Sequence, residues 1–293
     1  MSLKIIVSYD DTDMDRDALA LGRLLAQAGG ELALAYVRHS FGESLEQQQA
    51  EELLARGAAS VGSPEMPQHV VVNPATSVGL TELAEKEQAD VIVFGSEYRT
   101  APGLVKPGIS AHKLLLGGPS AIAVAPASFQ ASPVVSVGTV GVIDEGDPSA
   151  RATAESLAGA LGAQCADYGS GQIDLLVVGS RPEAPDGKVV LSAKSDYAVE
   201  DARYPVLVIP RGVSIEFGAA APTAAQPYRA QPGRCTTTIT AATSGSRPSI
   251  RSLSSPSSTV RAPWVETSSA TVCTAEPVSI SRAAGPGPAP RDS

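Results

Sequence analysis

The chain predicts an α/β protein in which a parallel sheet covered by helices is built twice in succession and then followed by a segment that does not fold. Three observations predict it. Short β-rich runs alternate strictly with amphipathic stretches, and those runs are apolar on both faces, as strands between two helix layers must be. The landmarks of the first series then return in a second. The predicted division is residues 1–127 for a first unit, 134–212 for a reduced second unit and 218–293 for a low-complexity tail.

The first unit opens with Lys4 to Tyr9 as a strand, ended by Asp10-Asp11-Thr12-Asp13, a cluster suited to capping a helix N-terminus. Ala18, Leu21, Leu25 and Ala28 recur at three- and four-residue steps, predicting a helix over Asp13 to Ala28 that Gly29-Gly30 stops. A strand at Glu31 to Val37 follows, then a helix over Ser44 to Ser60 carrying Leu45, Leu53 and Leu54, and a strand at His69 to Val72. Asn73-Pro74-Ala75 turns into a helix at Ser77 to Gln88, and Asp90 to Phe94 is a strand that ends on Gly95 and a glycine- and proline-containing loop. A short helix at Ser110 to Leu116 and a strand at Ala121 to Ala125 complete the unit. Right-handed crossovers make this a doubly wound sheet of order 3-2-1-4-5.

After a linker at Ala127 to Pro133 the pattern restarts with a strand at Val137 to Ile143, an acidic turn at Asp144 and a helix to about Leu161. Asp174 to Val178 with Gly179-Ser180 repeats Asp90 to Phe94 with Gly95-Ser96, and Val206 to Ile209 with Pro210 repeats Ile122 to Ala125 with Pro126. Between Leu161 and Ile173 there is room for one strand, at Gln164 to Tyr168, but not for the helix and third strand of the first unit. The last strand of each unit is short, apolar and ended by proline, an edge that invites pairing. Ala121 to Ala125 and Val206 to Ile209 are therefore expected to pair.

Composition narrows the function classes. Residues 1–217 carry 28 acidic against 15 basic side chains, a net of −13, so this part should repel nucleic acid. No run approaches the roughly 20 apolar residues of a membrane span, and the three scattered cysteines, Cys165, Cys235 and Cys273, fit a reducing compartment. A cytoplasmic protein with neither membrane nor nucleic-acid partner is expected. From Gly218 onward Ser, Thr, Ala, Pro and Arg dominate without apolar period, too little to offset ordering entropy. His39, His69 and His112 fall in different elements, giving no metal pattern. No Gly-x-Ser-x-Gly elbow or Cys-His pair is present, so the expectation is a protein that is not an enzyme.

Open α/β sheets hold ligands at the carboxyl ends of their strands, at the switch between strands one and four. Here that place holds Asp10 and the loop from Gly95 to Gly108. On these residues the chain resembles the universal stress protein family, whose first strand ends in Asp and whose fourth ends in a loop of Gly, two residues, Gly, nine residues, Gly, then Ser or Thr. The resemblance spans residues 3–211 and implies the Rossmann-like fold of the adenine nucleotide alpha hydrolase-like proteins, with the two units paired as an internal pseudo-dimer. Gly95 matches the first glycine and Gly108 the third, while Tyr98 stands at the second and Ile109 at the hydroxyl position.

What the resemblance implies is a stress-response binding or regulatory module that takes ATP or AMP in its first unit, with Mg²⁺ only as companion of the nucleotide. The implied contacts are Asp10 to the nucleoside, main chain near Val37 to the adenine, and Gly95, Ser96, Gly108 and Ser110 around the phosphates. Ser110 lies one residue beyond the hydroxyl position, roughly 100° around the helix. Asp11 stands where the family has Gly and adds negative charge, which Arg99 and Lys106 are expected to offset. Three readings stay open: nucleotide binding, a ligand-free dimer or interaction module, and a weak ATPase. For Asp10 two roles stand, ligand contact or helix cap. In the second unit Asp144 and Gly179 match, but Pro182 and Ser192-Ala193 replace the remaining positions.

Overall fold

The runs that are apolar on both faces are strands of one continuous sheet in the computed structural model, which describes residues 3–39, 44–131 and 136–218. The tail, Cys235, Cys273, the end of the predicted linker and the side chain of Leu45 lie outside the described residues. The first half supplies β1 (Leu3–Ser8), α1 (Asp13–Gln27), β2 (Gly30–Arg38), α2 (Ser44–Ser60), β3 (Gln68–Val72), α3 (Thr76–Glu87), β4 (Val91–Phe94), α4 (Ile109–Leu115) and β5 (Ala121–Val124). The second supplies β6 (Thr139–Ile143), α5 (Pro148–Leu161), β7 (Gln164–Asp167), β8 (Leu175–Gly179), α6 (Ala193–Glu200) and β9 (Val206–Ile209).

The nine strands lie in the order β3-β2-β1-β4-β5-β9-β8-β6-β7. The first five thus take the expected order 3-2-1-4-5, with Ile5, Ile6 and Val7 of β1 beside Val91, Ile92 and Val93 of β4 in parallel register. In the second half β6 sits between β7 and β8, as β1 sits between β2 and β4. No third strand flanks β7 among the described residues, because the chain returns to β8 without a helix. The expected pairing of the two proline-ended strands is present: β5 and β9 run antiparallel, with Ile122 opposite Val208 and Val124 opposite Val206. That pairing merges what the sequence presents as two sheets into one.

Each face of the sheet carries three helices. Leu21, Leu25, Leu54, Ala154 and Leu157 from α1, α2 and α5 share one buried cluster with Ile5, Val7, Val93 and Leu175. Leu80, Leu83, Leu114, Leu115, Ala198 and Val199 from α3, α4 and α6 share the other with Ile6, Ile92, Ile122 and Val208. The alternation of inward contacts along each strand divides its side chains between the two layers. α6 is an element the sequence reading did not contain. After β9 the chain stays packed beyond residue 212, since the N–H of Ile215 donates to Thr153 Oγ1 at 2.9 Å and that of Phe217 to Ser156 Oγ at 2.8 Å, with both hydrophobic side chains buried. No helix among the described residues is long and apolar enough to cross a membrane.

A pseudo-twofold relation runs through the seam. The N–H of Val105 donates to the Ala202 carbonyl at 3.0 Å, and the N–H of Val189 donates to the Gly118 carbonyl at 2.9 Å. Each residue of the second bond stands 84 positions beyond its counterpart in the first, with the halves exchanged. Within each half the same spacing returns in a buried serine. Ser96 Oγ donates to the Ala125 carbonyl at 2.7 Å and accepts from the Lys106 N–H at 3.1 Å. Ser180 Oγ donates to the Ile209 carbonyl at 2.8 Å and accepts from the Val190 N–H at 3.1 Å.

Ser180→Ala removes that hydroxyl from a fully buried position and strands both partners. Since an unsatisfied buried polar group costs about 1–3 kcal/mol, the variant is expected to unfold at a lower urea midpoint with an unchanged denaturant slope.

Candidate functional site

A cavity of about 620 Å³ opens at the carboxyl ends of β1 and β4. It brings together all six residues that the sequence singled out: Asp10, Val37, Gly95, Ser96, Gly108 and Ser110. Three segments shape it, namely the β1–α1 turn, the end of β2, and the loop from β4 to α4.

The turn after β1 is held by Thr12 and Asp15. Thr12 is the N-cap of α1, and Thr12 and Asp15 form a reciprocal capping box. Asp15 also accepts the N–H of Asp10 at 3.0 Å and the hydroxyl of Thr12 at 2.6 Å. Asp10 is therefore not the helix cap, and that reading is corrected: the cap lies two residues further on, where a threonine oxygen reaches the N3 amide. The Asp10 carboxylate makes no hydrogen bond among the described residues. Burial at the cavity rim raises its pKa, the Asp15 charge raises it further and Asp11 adds to this, with His39 acting in the opposite sense. Asp11 itself, at φ 58°, turns away onto Tyr9 Oη at 3.0 Å, Arg16 at 3.3 Å and Arg56 at 3.5 Å. Burial, followed by the Asp11 hydrogen bond, pushes the Tyr9 phenol to about 12.

The loop after β4 begins at Gly95 because nothing larger fits. A Cβ there would stand 2.0 Å from the Met14 carbonyl oxygen. Ser96, expected at the phosphates, has its hydroxyl committed to main chain in the tie described above. Beyond it the loop doubles back, with a bridge between Ser96 and Pro107. That bridge sets Lys106 Nζ 2.8 Å from Glu97, while the Arg99 guanidinium lies over the Tyr98 ring at 5.2 Å. The charge expected to offset Asp11 is thus spent elsewhere. Tyr98 and Ile109 are 70% and 75% exposed at the mouth, and Gly108 gives α4 no side-chain cap.

Opposite, the end of β2 presents main chain. Amides of a paired strand alternate between its two neighbours, and Ala35 already accepts from the Tyr9 N–H at 2.9 Å on the β1 side. β1 ends at Ser8, so the N–H and carbonyl of Val37, which face the same side, have no strand to meet and open toward Asp10. Residues that the sequence reading did not place here are Tyr36, His39 and Thr76. His39 is held by its ring nitrogens, Nδ1 at 3.2 Å from the Asn73 carbonyl and Nε2 at 3.4 Å from Thr76 Oγ1.

The matching place in the second half is a smaller cavity of about 400 Å³ around Asp144, Glu145 and Arg151. Its carboxylate is taken. Arg151 holds Asp144 at 3.1 Å and reaches Asp167 as well. Glu145 turns into the N-terminus of α6, where it accepts from Ser192 Oγ at 2.7 Å and from Ser195 Oγ. A larger cavity, about 980 Å³, lies along the seam, where Phe129, Tyr168, Asp174, Arg203 and Tyr204 are among its lining residues, and it gathers none of the six predicted residues. The described residues contain no group of three or more His, Cys, Asp or Glu side chains that could hold a metal ion.

No protein-family model matches the chain, and no curated protein matches it. Solved structures similar to it include universal stress proteins. One, from Archaeoglobus fulgidus, is 16% identical, with 72% of this chain and 100% of that chain covered and a TM-score of 0.47. A functionally unknown protein from Pseudomonas aeruginosa is 13% identical over 72% of this chain and 93% of that one, with a TM-score of 0.48. A universal stress protein in complex with cAMP is 22% identical over 31% of this chain and 70% of that one, with a TM-score of 0.24.

The raised pKa of Asp10 sets a pH signature. A carboxyl whose folded pKa lies above its unfolded value contributes stability at acid pH that is lost as pH rises through the folded value. Asp10→Asn is therefore expected to raise the urea midpoint near neutral pH, with the gain disappearing well below the ordinary value of 3.8, where wild-type Asp10 is also neutral.

Proposed function

We propose that the chain is a universal stress protein of tandem type, residues 1–127 forming one unit and 134–212 its reduced copy, and that the first unit binds an adenine nucleotide such as AMP or ATP. It acts as a cytoplasmic binding or regulatory module rather than an enzyme. One observation carries the reading. The unpaired Asp10 carboxylate and the open main-chain pair at Val37 face one cavity whose floor is Gly95. A carboxylate suits ribose hydroxyls, which can only donate to it, and an N–H beside a carbonyl matches the donor and acceptor on an adenine edge. The preference for a binder over an ATPase rests on the cations near the loop. Lys106 is paired with Glu97 and Arg99 lies on Tyr98, leaving neither directed at a transferred phosphoryl group.

The second copy contributes structure instead of a site. Its strand-end carboxylate is neutralised by Arg151 and its helix N-terminus is occupied by Glu145. Titration of the full chain with AMP in a calorimeter is expected to give about one site per chain. Because a hydrogen bond to a charged group contributes about 1.5–3 kcal/mol, Asp10→Ala should weaken binding about tenfold or more. Absence of heat with any adenine compound would leave the ligand-free module as the standing reading.

A further inference from the structure

The two halves differ most where a ligand's phosphates would lie, and that difference speaks to ligand charge. In the second half Ser192 and Ser195 hold an anion, the Glu145 carboxylate, at the start of α6. The positions 84 residues earlier are Gly108 and Ala111, at the start of α4, so the first half has no hydroxyl at either place. Ile109, 75% exposed, and Ser110 line the cavity at this helix start instead, so Ser110 carries the one hydroxyl there. The hydroxyl of Ser96 is fully engaged by the Ala125 carbonyl and the Lys106 amide.

The surrounding charges point the same way. Four acidic residues, Asp10, Asp13, Asp15 and Glu97, are among those that line the cavity. Of the nearby cations, Arg16 pairs with Asp11 at 3.3 Å and Asp13 at 3.1 Å, Arg56 with Asp11 at 3.5 Å and Lys106 with Glu97 at 2.8 Å, while Arg99 lies over the Tyr98 ring at 5.2 Å. His39, which also lines the wall, has both ring nitrogens turned to Asn73 and Thr76. A triphosphate entering this space would set several negative charges beside carboxylates whose counter-ions are spent. A nucleoside presents none, while keeping the hydroxyls that Asp10 can accept and the base edge that Val37 can pair.

From this we infer that the first-half cavity selects for the uncharged nucleoside: it binds adenosine in preference to ATP, with AMP between them. The inference rests on the adenine reading of the site and adds to it the sign of the charge preference.

The test is equilibrium binding of adenosine, AMP and ATP to the full chain at low and at high salt. Adenosine is expected to bind at least about tenfold more tightly than ATP at low salt, the scale set by a few unit charges at several ångströms near a protein surface. The gap should narrow at high salt, where exposed charges are screened beyond a few ångströms. Glu97→Gln, which removes one lining charge and releases Lys106, should bring ATP closer to adenosine by about threefold or more on the same scale. ATP binding as tightly as adenosine, or more tightly, would overturn the charge preference while leaving the adenine reading intact. Binding of none of the three would remove both.

Discussion

The antiparallel pairing of β5 with β9 is the constraint on which the rest of the molecule depends. Each strand has four residues, all buried, and either one left alone would be an apolar edge open to a second sheet. Pairing removes both edges at once. It also carries the loop of each half onto the helix end of the other, through the Val105 to Ala202 and Val189 to Gly118 bonds. The loop after β4 is thereby fixed at three points: Gly95 against the Met14 carbonyl, Ser96 against the end of β5, and Val105 against the second half. What it offers is a preformed floor, so the cavity owes its shape to the seam as much as to its own residues.

Sequence legibility followed the strength of the local signal. Strands such as Val91–Phe94 and Val206–Ile209 were readable because four consecutive apolar residues between turn signals admit little else, and the β5–β9 pair was readable because two such strands end in proline. The six candidate residues line one cavity because the strand ends and loop glycines of this topology meet at that point. α6 was missed. Its sequence, Ala193 to Glu200, mixes Lys, Ser, Asp and Glu with few apolar positions, so its helical character comes from the Ser192 cap and from packing of Ala198 and Val199 rather than from periodicity. The commitment of Lys106 to Glu97 was equally hidden, since it follows from a bridge between Ser96 and Pro107 that no short-range pattern announces. The role of Asp10 stays open in the sequence because four capping-type residues stand in a row. Only the geometry shows that Thr12, with Asp15 three residues on, takes the cap.

That assignment of the cap explains why the first half has a chemically available carboxylate and the second does not. Asp10 and Asp144 both lie just beyond β1 and β6, and each is followed by a non-glycine residue at positive φ, Asp11 at 58° and Glu145 at 49°. In the first half the capping work goes to Thr12 and Asp15. The helix position that could reach back is Asp17, which turns inward to accept the N–H groups of Ser128 at 2.7 Å and Gln130 at 2.9 Å. Asp10 is left crowded by the Asp15 and Asp11 charges and without a hydrogen-bond partner among the described residues. In the second half the position corresponding to Asp17 carries Arg151, which neutralises Asp144, and Asp147 caps the helix through the Ser149 amide at 3.0 Å. One exchange, acid for base at a single helix position, converts an open carboxylate into a closed ion pair. The same βα arrangement thus leaves its carboxylate open in the first half and locks it in an ion pair in the second.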